Sequence, residues 1–201
     1  GRGRRDGAPG ARGAEHGGAL RGLQRARGGR LRRALERGRL LQMVGAINAM
    51  CALLAERAGF GGIYLSGAAV ANASHGLPDL GLTELKHVLE DTRRVVAVTS
   101  VPLLVDADTS WGDHEMTSEA ASRLSEVGAA GLHLEDQIDT KRCGHRPGKR
   151  LVSTVQMQRR IETAVKARID QEFVIMARTD AVMVEGLDAT INRARDYLEA
   201  G

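Results

Sequence analysis

Five short apolar runs alternate with amphipathic segments along residues 31–201, and this alternation restricts the fold more than any other feature of the chain. The runs are rich in aliphatic residues and bounded by Gly or Pro, as in strands that are buried on both faces. Predicted strands lie at about 43–47, 62–66, 102–107, 131–135 and 173–178. Predicted helices follow them at about 49–58, 83–96, 114–127, 153–167 and 187–200. Successive strand–helix units predict an α/β fold with a parallel sheet.

Five such units fall short of a complete eight-stranded α/β barrel, which usually takes about 250 residues. A short lead-in helix is expected from Leu31, and Ser153 and Asp188 are the expected N-caps of the last two helices. Two architectures stay open. The chain forms an open five-stranded sheet, or it carries about five βα units of a (β/α)8 barrel of the TIM type. In the second case we expect a C-terminal truncation that exposes sheet edges and apolar surface.

The first 30 residues differ sharply in composition from the rest. They are rich in Gly and Arg and almost free of large apolar residues, so we expect a disordered or non-native head at 1–30 and a catalytic domain at 31–201. Residues 1–40 carry twelve Arg against three acidic residues, a charge of +9, so the remainder carries −5 of the total of +4. The basic character therefore belongs to the head, and the body shows no nucleic-acid surface. An RNA-binding Arg/Gly tail is a minor alternative.

Two further features limit where the protein works. No apolar run reaches the roughly 18 residues that a membrane-spanning helix needs, so we expect no membrane association. The only cysteines are Cys51 and Cys143, which do not amount to a disulfide framework in a chain of 201 residues. A reducing, cytoplasmic location is therefore expected. Cys51 falls in an apolar helical pattern and is predicted to be a small core residue.

Charged residues stand at the carboxyl ends of three predicted strands, where parallel α/β folds bind their ligands. Asp106 and Asp108 end the third strand, Glu135 ends the fourth, and Arg178 and Asp180 end the fifth. Side chains two residues apart on a strand point the same way, so the two aspartates can converge. Three carboxylates would repel each other without a cation, and hard oxygen ligands suit Mg²⁺ or Mn²⁺. The alternative is a pair of aspartates that only cap turns.

The segment from Lys141 to His145 places the thiol of Cys143 between two cationic residues and an imidazole. Neighbouring positive charge favours the thiolate, so this cysteine is a candidate acid/base catalyst. Lys141 and Arg142 are expected to tune the thiol or to bind substrate carboxylates. A zinc site is the weaker alternative, because this spacing supplies two ligands at most.

Three more positions are candidates for binding an anionic substrate. Ser66-Gly67-Ala68-Ala69 follows the second strand, where small residues let backbone N–H groups approach an anion, although the segment also fits a tight turn. Arg178 can bind a carboxylate through two parallel hydrogen bonds. Tyr64 is a candidate acid/base or oxyanion donor, and it equally fits a core position.

Seven short motifs, in this order, resemble the isocitrate lyase / phosphoenolpyruvate mutase superfamily, and together they cover roughly residues 29–201. They are Gly45-Ala46-Ile47-Asn48, Tyr64-Leu65-Ser66-Gly67, Gly76-Leu77-Pro78-Asp79-Leu80-Gly81, Leu104-Val105-Asp106-Ala107-Asp108, Gly131-Leu132-His133-Leu134-Glu135-Asp136-Gln137, the segment Lys141 to Pro147, and Met176-Ala177-Arg178-Thr179-Asp180. The Cys-Gly-His loop marks the lyase branch of the superfamily, and the continuation Arg146-Pro147 resembles its methylisocitrate-cleaving form.

The resemblance implies an α/β barrel that assembles into homotetramers and cleaves a small tricarboxylate. The implied reaction is retro-aldol (Claisen-type) cleavage of 2-methylisocitrate to pyruvate and succinate, in the methylcitrate cycle of propionate catabolism. The implied Mg²⁺ ligands are Asp106 and Asp108, supported by Asp79 and Glu135. The implied substrate contacts are Ser66, Gly67, Ala68, Cys143, Gly144, His145 and Arg178. The implied catalytic groups are Cys143 as the proton donor, with Lys141, His145 and Tyr64.

Two other functions stay open. One is isocitrate lyase, or a related lyase of the same superfamily that acts on another oxo- or hydroxy-acid. The other is a catalytically inert truncated fragment, because the last three strands expected for the barrel are missing from these 201 residues. Ala68 is a smaller departure, since it stands where the superfamily often has a third glycine.

Overall fold

The computed structural model describes residues 27–139 and 141–201, so the predicted disorder of residues 1–26 lies outside the described residues. The described strands are β1 Met43–Gly45, β2 Gly62–Leu65, β3 Leu103–Asp106, β4 Gly131–Glu135 and β5 Val174–Arg178. The helices are α1 at 27–36, α2 Ala49–Arg57, α3 Gly67–Ala69, α4 Leu85–Val98, α5 His114–Val127, α6 Thr154–Ala167, α7 Val182–Glu185 and α8 Leu187–Glu199. A π-helical turn, Val70–Ser74, continues directly from α3.

The five described strands form one parallel sheet in the order β1-β2-β3-β4-β5. Each strand pairs with the next one in sequence, which is the strand order of a barrel. A doubly wound sheet would instead reverse its order at a switch point. The sheet order thus favours five consecutive βα units of a barrel, as the alternation predicts.

The predicted strands and long helices are confirmed to within two residues at each end. Two short helical segments were missed: α3 with its π-helical turn, and α7. The helix α7 has four residues, and α3 has three before the five-residue π-helical turn begins, so neither is long enough to show an α-helical periodicity. The N-cap prediction is confirmed at Ser153, whose side chain accepts a hydrogen bond from the Gln156 amide. It is wrong at Asp188, which lies in the first turn of α8, because the left-handed Gly186 is the N-cap.

Helix α1 includes residues 27–30, which the sequence assigns to the disordered head. Two kinds of contact hold this part of the helix. Arg27 donates hydrogen bonds to the carbonyls of Val96, Thr99 and Gly128, at the ends of α4 and α5. Gly28 lies so close to Glu172 that a Cβ atom would stand 2.5 Å from the Glu172 carbonyl oxygen. Composition alone predicts disorder here because it cannot show these long-range contacts.

The central strands β3 and β4 are buried along their whole length. Their aliphatic side chains pack with α4, α5 and α6, and the largest fully buried side chain of the described residues is that of Phe173, directly before β5. The core contains few aromatic side chains and depends mainly on Leu, Val, Ile and Met for its larger ones. This packing fixes the carboxyl ends of the strands, where the candidate site lies.

Gly131, the first residue of β4, provides a test of this packing. A Cβ atom there would stand 2.6 Å from the Val174 carbonyl oxygen of β5, so Gly131→Ala must push the two strands apart. We expect it to lower the free energy of unfolding in urea by about 2 kcal/mol or more.

Gly45→Ala in β1 is the matched control, because no atom lies within 4 Å of its Cβ position. We expect a change within about 0.5 kcal/mol. Equal losses in the two variants would contradict the proposed close contact between β4 and β5.

Candidate active site

Asp106 ends β3 and lies almost fully buried. The Gly67 amide donates to its Oδ2 at 3.0 Å, and the Asp108 amide donates to its Oδ1 at 3.1 Å. The Nε2 atom of His133 lies 3.3 Å from the same Oδ1. Burial opposes the charge of this carboxylate, but His133 and the two amides hold its pKa below the usual value. Asp106 is therefore the fixed negative charge of the site.

Asp108 turns back towards Asp106 because its backbone takes the left-handed conformation, with φ of 47°. Burial, together with the charge of Asp106, raises the pKa of Asp108 to about 7. The ammonium of Lys141 donates to Asp108 and, at 2.8 Å, to Asp79. Burial lowers the pKa of Lys141, but these two carboxylates raise it by more, so the lysine stays charged.

This position of Lys141 differs from the sequence interpretation. The lysine was expected beside the Cys143 thiol or on a substrate carboxylate, but its ammonium pairs with Asp79 and Asp108. Its long side chain carries the charge away from its sequence neighbours. The four predicted metal ligands thus fall into a carboxylate cluster, which here denotes Asp79, Asp106, Asp108 and Glu135, and Lys141 is its main internal cation.

Glu135 ends β4 and is 2% exposed. Its Oε2 lies 3.4 Å from the Nη1 of Arg178, while its Oε1 is buried without a hydrogen-bond partner. Burial raises the pKa of Glu135 to about 8, and the charge of Asp108 adds to this although Arg178 opposes it. The unpaired buried oxygen and the raised pKa both reflect removal of this carboxyl from water, which the nearby guanidinium does not fully offset.

Arg178 contacts both the carboxylate cluster and the cysteine loop, which here denotes residues 141–150. Its Nη2 donates to the two carboxylate oxygens of Asp180 at 3.2 and 3.3 Å. Gly144 lies against the same guanidinium, since a Cβ atom on this glycine would stand 2.2 Å from Nη2. A side chain at position 144 would therefore displace the arginine. The guanidinium stays partly exposed, as binding a substrate carboxylate requires.

Cys143 and His145 lie on the loop above Arg178, and both are at least partly exposed. The Cys143 Sγ is 3.9 Å from the Nδ1 of His145, which is a long contact even for sulfur. Lys149 donates to the Gly144 carbonyl and closes the loop. Cys51 is also a free thiol, and it packs on the core from α2.

Tyr64 and His133 form a pair inside the sheet. Their rings stack with centroids 5.5 Å apart, and the tyrosine hydroxyl hydrogen-bonds to the His133 Nε2. Burial and the charge of Asp106 raise the pKa of Tyr64, while burial lowers the pKa of His133, so both are neutral near pH 7. The sequence interpretation missed His133. The available signal is its position two residues before Glu135 on β4, directly opposite Asp106 in the strand register.

The predicted substrate contacts at the end of β2 stay a prediction, and the structure places these residues at the start of α3. Ser66 is the N-cap of α3 and makes no side-chain capping bond, and Ala68 lies within that helix. The Gly67 amide, expected to face the substrate, donates to Asp106. A Cβ atom at Gly67 would stand 3.2 Å from both Asp108 carboxylate oxygens, so the backbone packs tightly on the two aspartates.

The carboxylate cluster offers oxygen atoms, the ligand type that hard divalent cations prefer. In the described residues no three carboxylate, imidazole or thiol groups converge closely enough to hold a metal ion by themselves. Burial is the main cause of the raised pKa values of Asp108 and Glu135, and the Glu135 Oε1 has no hydrogen-bond partner among the described residues. Such oxygen donors suit Mg²⁺, which usually keeps several waters and takes further ligands from substrate.

Comparison with known proteins identifies the family. A sequence profile of the phosphoenolpyruvate phosphomutase family matches residues 31–201. The chain belongs to this family. It is similar to 2-methylisocitrate lyase of Escherichia coli, with 56% identity over 85% of this chain and 58% of that protein. It is similar to 2-methylisocitrate lyase of Shewanella oneidensis, with 52% identity over 89% of this chain and 61% of that protein.

Solved structures of the same superfamily confirm the predicted barrel-type fold. A crystal structure of 2,3-dimethylmalate lyase matches with a TM-score of 0.82 and 36% identity, over 87% of this chain and 59% of that one. Phosphonopyruvate hydrolase in complex with oxalate and Mg²⁺ matches with a TM-score of 0.79 and 33% identity, over 87% of this chain and 60% of that one. The chain thus spans about three fifths of the length of the proteins that it matches. Within its described residues, no helix is both long and apolar enough to cross a membrane.

The raised pKa of Glu135 predicts how stability depends on pH in the absence of metal. Its carboxyl has a pKa of about 8 in the folded chain against a reference value of 4.5, so the folded state binds the proton more tightly. Binding of this proton therefore adds its full contribution to the free energy of unfolding below pH 4.5, and this contribution is lost as the pH rises through 8. With EDTA present, we expect the free energy of unfolding to fall by on the order of 1–2 kcal/mol between pH 6 and pH 9.

Glu135→Gln keeps the size of the side chain and cannot ionise, so its stability should change less over the same interval. Denaturant titrations of the two proteins at four pH values measure the difference. Parallel pH profiles would show that Glu135 does not titrate in this range.

Proposed function

We propose that this chain is the catalytic part of a carbon–carbon lyase that cleaves 2-methylisocitrate to pyruvate and succinate. One observation supports this function above the others: the Cys143-Gly144-His145 loop lies directly on Arg178, beside the carboxylate cluster. A proton donor, a carboxylate-binding cation and a group of oxygen ligands are thus adjacent. The similarity to 2-methylisocitrate lyases supports the choice of substrate.

Substrate binding depends on two sets of charges in this proposal. Arg178 binds one carboxylate of the tricarboxylate substrate through its exposed edge, assisted by the Gly144 and His145 segment. Asp106 and Asp108 would hold Mg²⁺ (or Mn²⁺), directly or through water, with Asp79 and Glu135 in support. When bound, this cation lowers the energy of the alkoxide that forms from the substrate 2-hydroxyl group.

Cleavage begins with loss of the hydroxyl proton. Tyr64 is neutral, because burial raises its pKa, and its hydroxyl bonds to His133. Tyr64 therefore passes the proton to the His133 Nε2 as it receives another from the substrate, instead of acting as a phenolate base. His133 is suited to accept it, since its ring is neutral and lies 3.3 Å from Asp106.

The carbon–carbon bond then breaks between the hydroxyl-bearing carbon and its neighbour. The alkoxide electrons form the keto group of pyruvate, and the bonding pair moves onto the succinate half. Arg178 and Lys141 stabilise the developing negative charge. Cys143 donates its thiol proton to that carbon, which completes succinate and leaves a thiolate. His145, whose Nδ1 is 3.9 Å from the sulfur, returns a proton from solvent.

Two alternatives have support from particular observations. The likeness to 2,3-dimethylmalate lyase favours a related hydroxy-acid substrate, and isocitrate is a further choice within the superfamily. Equal kcat/KM values for isocitrate and 2-methylisocitrate would support this alternative. A catalytically inert chain is favoured by the apolar side chains exposed on α7 and α8, such as Met183 at 77% and Leu198 at 81%.

We further infer a cytoplasmic location, because both cysteines are free thiols. Assembly into a homotetramer stays a prediction. Light scattering after gel filtration would give the mass of the assembly directly.

Replacing the thiol tests the proposed proton donor. We expect Cys143→Ser to lower kcat for 2-methylisocitrate by roughly 10²–10⁴-fold, because an alcohol is a far weaker acid at the same position. A coupled assay of pyruvate release measures this. Cys51→Ser is the matched control and should keep activity, since Cys51 packs on the core away from the loop. Full activity of the Cys143 variant would exclude this thiol as the acid.

A further inference from the structure

Gln137 lies beneath the cysteine loop and is 1% exposed. It follows Glu135 and Asp136 in sequence, and its backbone pairs with Leu151 in an isolated antiparallel bridge. The next bond of this pairing runs from the Ile138 amide to the Arg150 carbonyl at 3.1 Å. Gln137 therefore stands where the loop that contains Cys143 leaves and rejoins the body of the protein.

The carboxamide of Gln137 binds both backbone groups of the residue before Cys143. Its Nε2 donates to the Arg142 carbonyl at 2.9 Å, and its Oε1 accepts from the Arg142 amide at 2.9 Å. These two bonds fix the backbone of Arg142 in position and orientation. Cys143 is the next residue in the chain, so the fixed backbone of Arg142 also restricts the position of Cys143.

The same carboxamide also contacts the group that holds Arg178. Its Nε2 donates to the Oδ2 of Asp180 at 2.7 Å, and Asp180 in turn accepts from the Arg178 Nη2 at 3.2 Å. One buried side chain thus connects the loop to the arginine on which Gly144 lies. Gln137 follows β4 and Asp180 follows β5, 43 positions later, so this bond connects the ends of two strands and sets the distance between the thiol and the carboxylate-binding cation.

We propose that Gln137 is a positioning residue that holds the Cys143 thiol in register with Arg178. It contacts neither the reacting atoms nor the carboxylate cluster, and acts only through Arg142 and Asp180. The kinetic consequence rests on the proposed function, whereas the structural consequence does not. If Gln137 only filled space, a side chain of similar volume without hydrogen bonds would replace it with no effect on the loop.

Two substitutions separate these roles. Gln137→Met keeps the volume and removes all three hydrogen bonds. Gln137→Glu keeps the shape and an acceptor for the Arg142 amide, but it sets a carboxylate against Asp180. A positioning role predicts that Glu disturbs the loop at least as much as Met, whereas a space-filling role predicts that neither does.

The first measurement is hydrogen exchange of the loop peptide 138–150, which needs no catalytic activity. We expect the Arg142 amide to exchange on the order of tenfold faster in both variants than in the parent chain. Gln158→Met is the matched control. Gln158 lies on α6, and its side chain also donates to a backbone carbonyl, that of Asp196. The control should leave exchange in the loop unchanged.

The second measurement is steady-state cleavage of 2-methylisocitrate. We expect kcat to fall about tenfold or more and by a larger factor than KM rises, because the loop contributes to substrate binding but the Cys143 thiol acts only in the chemical step. Parent-like exchange and kcat in Gln137→Met would overturn the proposal. If the parent chain cleaves nothing, the proposed function fails and the exchange measurement still decides the role of Gln137. If Gln137→Glu does not fold, Gln137→Met decides both measurements.

Discussion

Burial of negative charge at the carboxyl ends of β3 and β4 is the constraint on which the rest of this structure depends. These strands are the most buried of the sheet, yet they end in Asp106 and Glu135. Carboxylates in such a place are costly unless amides, cations or a metal ion compensate them. The Gly67 amide, Lys141 and Arg178 supply part of that compensation. The raised pKa values of Asp108 and Glu135 show that it is incomplete.

The site has two parts, the carboxylate cluster and the loop that contains Cys143, and Arg178 connects them. In the proposed function a divalent cation would supply the missing compensation, because its binding would favour the ionised forms of Asp108 and Glu135. Arg178 belongs to both halves, because it approaches Glu135 on one side and Gly144 on the other. The metal-binding and proton-donating parts of the proposed reaction are therefore fixed to a single guanidinium.

Sequence reasoning predicts most of the fold, because the information lies in local periodicity. The apolar runs define the strands. Asp106 and Asp108 both lie against Gly67, but strand alternation is not the reason, because β3 ends at Asp106 and Asp108 takes a left-handed backbone conformation. Sequence reasoning fails where a contact depends on long side chains or on segments that are distant in the chain. The ammonium of Lys141 reaches Asp79, 62 residues away, instead of the thiol two residues away. His133 looks like a lone polar residue in an apolar strand until the register sets it opposite Asp106.

Binding of Mg²⁺ measured by isothermal titration calorimetry at pH 8, with Asp108→Asn for comparison, tests the central claim most directly. The account predicts one ion per parent chain, with proton release because part of the Asp108 and Glu135 population is protonated before binding. It predicts that Asp108→Asn weakens binding by roughly 10–100-fold or more. Equal affinity in the two proteins, or no binding to the parent chain, would contradict the claim that this cluster is a cation site.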